Sequence, residues 1–219
     1  MKLSKETLAL IKNFAGINSN ILLKTGNALN TVSAQKNIMA STTVGESFPQ
    51  EFGIYDLNEF LSAMSLFEDP ELDFQDKYVT IKQGNQGIKF FATEPSVLVT
   101  PSKPIVFPDS DIDFKLTEKN LSMILKTAAV LHGSDVSLVG DGTKLTVVVG
   151  DKKNPTGNSF EEQVGNTDKS FTINLKVDNL KMIPGDYDVS ISSRKISRFK
   201  STKGDLVYYV AVEADSTFG

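Results

Sequence analysis

Cysteine is absent from the sequence, histidine occurs once, and only two of the 23 basic residues are arginine, Arg194 and Arg198. Without cysteine there are no disulfides, thiolate metal sites or cysteine nucleophiles, a composition that fits a reducing compartment. Long hydrophobic runs are absent too, since no stretch approaches the roughly 18 apolar residues that a membrane-spanning helix needs. The N-terminal stretch MKLSKETLAL lacks the apolar core of a signal peptide. These absences favour a globular protein of the cytoplasm.

Catalytic and cofactor motifs are missing as well. The one histidine, His132, falls on the apolar side of a predicted helix near its end, which favours a structural role. Asp109–Asp113 has the carboxylate spacing of a calcium loop, but Phe114 and Asn120 stand where such a loop needs glycine and glutamate. Gly140–Gly142 predicts a hairpin turn, because no phosphate-binding glycine pattern is present. The sequence therefore predicts no enzymatic activity, metal or cofactor, although a hydrolase with a dispersed acid–base site stays open.

The length and net charge of the chain limit the remaining possibilities for its domains and partners. The 219 residues suffice for one large domain or for two of about 110 residues. The net charge of −4 is mildly acidic, so binding to nucleic acid would need basic residues gathered on one surface. Lysine acts as a hydrated point charge, whereas arginine forms bidentate contacts with base edges. A contact with DNA would therefore be made to the backbone and would not read the base sequence.

Two long segments share one amphipathic pattern. A helix is predicted over residues 4–15 with Ser4 as N-cap, and another over 117–132 with Thr117 as N-cap. In each, apolar residues share one face, and two lysines seven residues apart lie on the opposite face. These lysines are Lys5 and Lys12 in the first helix, and Lys119 and Lys126 in the second. Together they would form an electropositive surface on an acidic protein.

The order of predicted elements repeats along the chain. Each half has a long helix, a set of strands, a shorter helix and further strands, with the shorter helices over 56–67 and 177–182. Each half also closes on a strand with paired aromatics, Phe90-Phe91 and Tyr208-Tyr209. This agreement predicts a tandem duplication with an α+β fold, helices lying on one face of antiparallel sheets. Two unrelated α+β halves are the alternative.

A proline-rich stretch separates the halves. Four of the eight prolines fall in EPSVLVTPSKPIVFPDSD, which suits neither a helix nor a central strand. Its apolar side chains indicate an extended connector that packs along the protein surface. They are Val97, Leu98, Val99, Ile105, Val106 and Phe107. The predicted organisation is a first domain over 1–94, a connector over 95–110 and a second domain over 111–219.

Five blocks spread over the chain carry a resemblance to a known family. They are MKLSKETLALIKNFAGIN at the N-terminus, IYDLNEFLSAMSLF at 54–67, KPIVFP at 103–108, MIPGDYDVSI at 182–191 and YYVAVEADST at 208–217. In order and extent the blocks resemble the DNA polymerase sliding clamps of T-even-type tailed bacteriophages and, less closely, the eukaryotic and archaeal clamps. The loops 31–52 and 151–168 carry little of the resemblance.

This resemblance implies a homotrimeric ring of six α+β domains, which encircles duplex DNA and tethers the replicative polymerase in the cytoplasm of an infected bacterium. Helices would line the hole, sheets would form the outer shell, and a clamp-loader ATPase would open the ring. Strands near 87–92 and 160–165 would pair between subunits. The helix over 56–67 contains no lysine and would contribute no such contact with phosphates. The lysines implied to meet phosphates are Lys5, Lys12, Lys119, Lys126, Lys176 and Lys181.

The resemblance also implies an apolar pocket beside the connector. It would hold the C-terminal peptide of the polymerase and short peptides of other partners. Transcription factors are a further partner class that the resemblance leaves open. The residues implied to line it are Leu98, Ile105, Phe107, Pro108, Pro184, Tyr187, Tyr209 and Ala211. The alternative function is a non-enzymatic phage tail or baseplate protein with duplicated β-rich domains. Such a protein would show neither a lysine-lined face nor a functional peptide pocket.

Overall fold

The computed structural model describes residues 1–154 and 156–219, which divide into two compact units, Met1–Pro104 and Ile105–Gly219. We call them unit 1 and unit 2. The boundary falls within the predicted connector 95–110, so the division differs from the predicted domains only in how the connector is assigned. Apart from a 3-10 turn at Pro95–Val97, this connector forms no helix or strand.

Unit 1 packs helices against short antiparallel sheets. Its elements are α1 (Lys5–Ile17), β1 (Ile21–Leu23), β2 (Gly26–Val32), β3 (Ile38–Phe48), β4 (Phe52–Ile54), α2 (Leu57–Ser65), β5 (Glu71–Phe74), β6 (Tyr78–Gln83) and β7 (Gln86–Phe91). Strand β1 pairs with β4, β2 pairs with β3, and β5, β6 and β7 form a three-stranded sheet with β7 at its edge. Helix α1 lies against α2, β2 and β3, which encloses the core of the unit.

Local chemistry sets the helix starts of unit 1 as predicted. The Ser4 hydroxyl accepts a hydrogen bond from the Thr7 amide at 3.1 Å, which satisfies one free donor of the first turn of α1. Asp56 caps α2 in the same way, with one carboxylate oxygen accepting from the amides of Asn58 and Glu59. The apolar faces then bury Ile11 and Phe14 of α1 and Leu57 and Phe60 of α2.

Unit 2 has one helix among its described residues. Its elements are β8 (Ile112–Leu116), α3 (Glu118–Leu131), β9 (Asp135–Asp141), β10 (Lys144–Gly150), β11 (Phe160–Asn166), β12 (Ser170–Lys176), β13 (Tyr187–Ser192), β14 (Ile196–Ser201), β15 (Val207–Ala211) and β16 (Thr217–Phe218). One antiparallel sheet has the order β11-β10-β9-β12-β16, with β11 at its edge, and β8, β13, β14 and β15 pair in that order. Helix α3 packs over β10.

Two expectations for unit 2 need correction. The helix predicted over 177–182 is only a 3-10 turn, Val177–Asn179, because valine, aspartate and asparagine are weak helix formers and Pro184 follows closely. His132 does not lie on the apolar face of α3. It is the exposed C-cap, with a left-handed φ of 52° that ends the helix.

The pairing of strands confirms the tandem duplication. In unit 1 β1 pairs with β4 and β2 with β3, as β9 pairs with β12 and β10 with β11 in unit 2. The meander β5-β6-β7 likewise matches β13-β14-β15. The segments that precede the two long helices also correspond. Met1, before α1, hydrogen-bonds to Leu72 of β5, and β8, before α3, pairs with β13. The described helices are all too short or too polar to cross a membrane.

Candidate nucleic-acid interface and peptide pocket

Each long helix carries an exposed row of side chains that we call its lysine stripe. In α1 the buried residues recur three and four positions apart, which leaves Lys5 and Lys12 exposed on the side roughly opposite the core. In α3 the same spacing of buried residues leaves Lys119 and Lys126 exposed. The α1 stripe consists of Lys5, Ala9, Lys12 and Gly16, and the α3 stripe of Lys119, Met123, Lys126 and Val130.

The four stripe lysines are electrostatically available. Within the described part of the chain, none of them has a carboxylate within 4 Å, and all are exposed. Their charge is therefore not neutralised inside the unit and can attract an external anion. Within each unit, two like charges in one row along a helix suit an extended polyanion better than a single small anion.

Lys176 differs from the stripe lysines. Its ammonium lies 2.5 Å from a carboxylate oxygen of Asp135, whose side chain is only 2% exposed. Burial alone would raise the pKa of the Asp135 carboxyl, but the hydrogen bonds from Lys176 and Ser134 hold it below its usual value. The same bond to Asp135 raises the pKa of Lys176. Lys181, by contrast, is exposed just after the 3-10 turn. Lys176 is thus less available to a phosphate than the four stripe lysines.

Several residues predicted for the pocket lie on unit 2 with accessible surface. Phe107 and Tyr209 are half-buried, and their ring centroids are 6.3 Å apart with planes inclined by 32°. Ile105, Pro108 and Ala211 are half-buried, and Pro184 is exposed. The structure therefore brings Phe107 and Tyr209 together as an aromatic pair on an accessible surface.

Tyr187 and Leu98 do not line an accessible pocket, which corrects the prediction for both. Tyr187 is 1% exposed, because side chains alternate along β13 and its ring points into the core, where it packs against Tyr208. Its hydroxyl donates to the Ile183 carbonyl at 2.5 Å, and burial raises the pKa of Tyr208 to about 12. Leu98, 8% exposed, packs within unit 1 beside Gly53 of β4.

The connector packs only in part. Leu98 is buried, and Val99, Ile105 and Phe107 are half-buried, as expected of an apolar segment on a protein surface. Val97 is mostly exposed and Val106 is 90% exposed, which contradicts the expectation that all its apolar side chains pack. Without regular backbone pairing, successive residues of the connector are free to point in different directions, and composition alone could not show which would be buried.

Arg198 contacts the aromatic pair of Phe107 and Tyr209, although it was not among the predicted residues. Its guanidinium carbon lies 4.6 Å from the centre of the Phe107 ring, and its Nη2 donates to the Ser190 hydroxyl at 3.0 Å. Arg198 stands directly opposite Tyr209 on the neighbouring strand. The alternation of side chains along the strand could have identified it. Because Ser197 and Phe199 are buried, Arg198 points to the other face of β14.

Comparison with known proteins identifies relatives along the whole chain. Residues 4–100 match the family described as DNA polymerase processivity factor. The sliding clamp of Vibrio phage KVP40 is 35% identical over 224 aligned residues, which cover 98% of this chain and 100% of the relative. The sliding clamps of Escherichia phage RB69 and Enterobacteria phage T4 are 29% and 31% identical, each comparison covering 99% of both chains.

Solved structures with the same fold come from cellular organisms. The proliferating cellular nuclear antigen of Entamoeba histolytica superposes with a TM-score of 0.69 at 15% identity, covering 94% of both chains. The A. fulgidus antigen solved with the C-terminal region of FEN-1 bound also gives 0.69, at 13% identity and 96% coverage of both chains. These superpositions confirm the predicted α+β architecture of two similar domains.

Proposed function

This chain belongs to the family of phage sliding clamps, and from that premise we propose that it forms a homotrimeric ring that encircles duplex DNA and tethers the replicative polymerase. The observation that supports the DNA-facing role best is the pair of lysine stripes, each opposite the buried face of its helix. Lining the hole of a ring, both stripes would meet the phosphate backbone. The ring acts in the cytoplasm of the infected bacterium, where a clamp-loader ATPase opens it.

The proposed mechanism is topological rather than catalytic, in keeping with a family that is generally non-enzymatic. A ring that must slide needs attraction to phosphates that is weak and indifferent to sequence. Lysine supplies such contacts, and neither arginine lies on a stripe. Three chains of net charge −4 also give −12 for the ring, which disfavours binding of DNA to its outer surface.

Subunit contacts are proposed at two sheet edges. Strand β7 is the last strand of its sheet, and β11 is the last strand of its own, so both present backbone groups without a sheet partner among the described residues. Pairing β7 of one copy with β11 of the next is heterologous, and such contacts form a ring when the rotation between copies closes after three subunits. Phe91 on β7 is 65% exposed and would be covered by that contact.

The polymerase is proposed to attach through its C-terminal peptide at the surface around Phe107 and Tyr209. Two aromatic rings at an accessible position can bury apolar side chains of a short peptide. The A. fulgidus relative was solved with the C-terminal region of FEN-1 bound, which supports peptide capture as a use of this fold. The clamp loader and transcription factors are proposed to share the same surface.

The test of the DNA-facing role is a fourfold charge reversal of Lys5, Lys12, Lys119 and Lys126 to Glu. We expect loss of clamp-dependent processive synthesis, because attraction to phosphates is replaced by repulsion. The matched control reverses Lys24, Lys36, Lys153 and Lys203, which are exposed lysines outside the helices. Both variants change the net charge equally. Equal activity of the two variants at low salt would refute the assignment of the stripes to DNA.

A further inference from the structure

Four residues form one row across the outer face of the sheet in unit 2, and it begins with Asp113 on β8, which pairs with Ser190. Ser190 on β13 pairs with Arg198 on β14, which pairs with Tyr209 on β15. Phe107, from the connector, lies over the guanidinium of Arg198 and beside the ring of Tyr209. The guanidinium of Arg198 is therefore held between the sheet and an aromatic ring.

The guanidinium of Arg198 is poorly satisfied within the chain. It has five N–H donors, and one hydrogen bond, to Ser190, is its only one among the described residues. Its Nε is shielded from solvent and has no acceptor there. A shielded donor without a partner loses its bonds to water and gains nothing in return, so the guanidinium is poorly satisfied where it lies. Its Nη1 is not shielded and has no acceptor among the described residues, so this end of the guanidinium is the part that a ligand can reach.

No carboxylate of the described residues serves as that acceptor. None lies within 4 Å of Arg198, and the acid in its own row, Asp113 on β8, is two strands away. The Asp113 carboxylate accepts instead from the Ser110 hydroxyl at 2.9 Å. Arg198 thus presents a positive charge that no carboxylate contacts, next to two aromatic rings.

We propose that Arg198 binds the C-terminal carboxylate of the partner peptide, an inference that rests on the proposed peptide surface. A carboxylate pairs with a guanidinium through two parallel hydrogen bonds, and Phe107 holds the guanidinium plane in place for such a pair. The rings of Phe107 and Tyr209 would receive the apolar side chains that precede the carboxylate. The surface would then distinguish a chain end from an internal segment of similar composition.

The test uses two synthetic peptides that cover about the last dozen residues of the replicative polymerase of the same phage. One ends in a free carboxylate and the other in a carboxamide. We expect amidation to weaken binding to the wild-type trimer by roughly tenfold or more, as measured by calorimetry. Arg198→Gln should bind both peptides equally weakly, and Arg198→Lys should recover only part of the difference. Arg194→Gln, which changes the other arginine, should behave like the wild type.

The outcomes separate this inference from the proposed function. If the wild type binds both peptides equally well, Arg198 does not read the chain end, although the peptide surface stands. A second outcome leads to the same conclusion. If the loss of affinity caused by Arg198→Gln disappears when an internal Asp or Glu of the peptide is replaced, but persists when the peptide is amidated, Arg198 binds that internal side chain. If neither peptide binds the trimer, the polymerase does not attach through its C-terminal peptide, and the proposed peptide surface is refuted. Should Arg198→Gln fail to fold, the comparison of the two peptides on the wild type still decides.

Discussion

The outer faces of the two matching meanders hold different chemistry. In unit 1 Tyr78 of β6 stands opposite Phe91 of β7, their rings 5.6 Å apart, and Phe91 is left exposed. In unit 2 Arg198 of β14 stands opposite Tyr209 of β15, and Phe107 covers the guanidinium. The inward-facing residues beside these pairs are buried in both units: Val79 next to Tyr78, and Ser197 and Phe199 next to Arg198. The two meanders thus share a buried inner face and differ in the side chains of their outer faces.

The ends of two matching ladders differ as well. At the end of the β1–β4 ladder Ile21 faces Ile54, and both are buried. The β9–β12 ladder ends on Asp135 and Lys176, which face each other and form an ion pair. Lys152 adds a second cation near Asp135, 3.8 Å from the same carboxylate oxygen. Val136 and Leu175, the next pair, are both buried, so unit 2 keeps an apolar pair on the core side and adds an ion pair on the other face of the ladder.

The largest predicted effect comes from breaking that ion pair. Asp135→Ala should lower the free energy of unfolding by about 1–3 kcal/mol, because Lys176 loses its charged hydrogen-bond partner but stays partly solvated. Replacing both residues by isoleucine should cost less than the single change, because the double variant leaves no Lys176 charge without its counter-ion. Chemical denaturation of the single and double variants measures both. A double variant as unstable as the single one would show that the loss does not come from the unpaired lysine.

The same pair gives unit 2 a dependence on acid. The pKa of Asp135 is lower in the folded protein than its ordinary value of 3.8, so the folded state favours the ionised form. Its contribution to stability is present above that ordinary value and is lost as pH falls through the lower, folded pKa. Denaturation of Asp135→Ala should accordingly show a weaker loss of stability below about pH 4 than the wild type.

Truncating the two outer aromatics should separate assembly from peptide binding. Wild-type chains of 23.9 kDa should give a species of about 72 kDa by light scattering. Phe91→Ala should shift this species towards monomer at concentrations roughly tenfold higher than in the wild type, and should leave peptide affinity unchanged. Tyr209→Ala should weaken the polymerase peptide by a similar factor without changing the mass. If each variant altered both properties, the division of roles between the units would be wrong.

The sequence predicted features that depend on neighbouring residues and missed those that depend on distant ones. Ser4, Asp56 and Thr117 cap their helices as predicted, because an N-cap contacts amides only two or three residues away. The lysine stripes followed from helical period alone. Tyr187 looked like a pocket residue until strand pairing placed its ring against Tyr208. Arg198 acquires its role only because the connector brings Phe107 over it, a contact between residues 91 positions apart.

The smallest predicted effect tests how alike the two lysine stripes are. At equivalent positions the α1 stripe has Gly16 and the α3 stripe has Val130, both exposed. Nothing lies within 4 Å of a side chain added at Gly16, so Gly16→Ala should stabilise unit 1 by about 0.5–1 kcal/mol through the lower entropy of the unfolded chain. Val130→Ala should stabilise by only a few tenths of a kcal/mol, because valine loses side-chain freedom in a helix.

Neither change alters a lysine, so processive synthesis should be the same as in the wild type for both variants. Thermal denaturation and a primer-extension assay measure the two properties in parallel. A loss of processivity in Val130→Ala without loss of stability would show that the apolar members of the α3 stripe touch DNA. In that case the stripes would differ in function as well as in composition, and the lysines alone would not account for the contact with duplex.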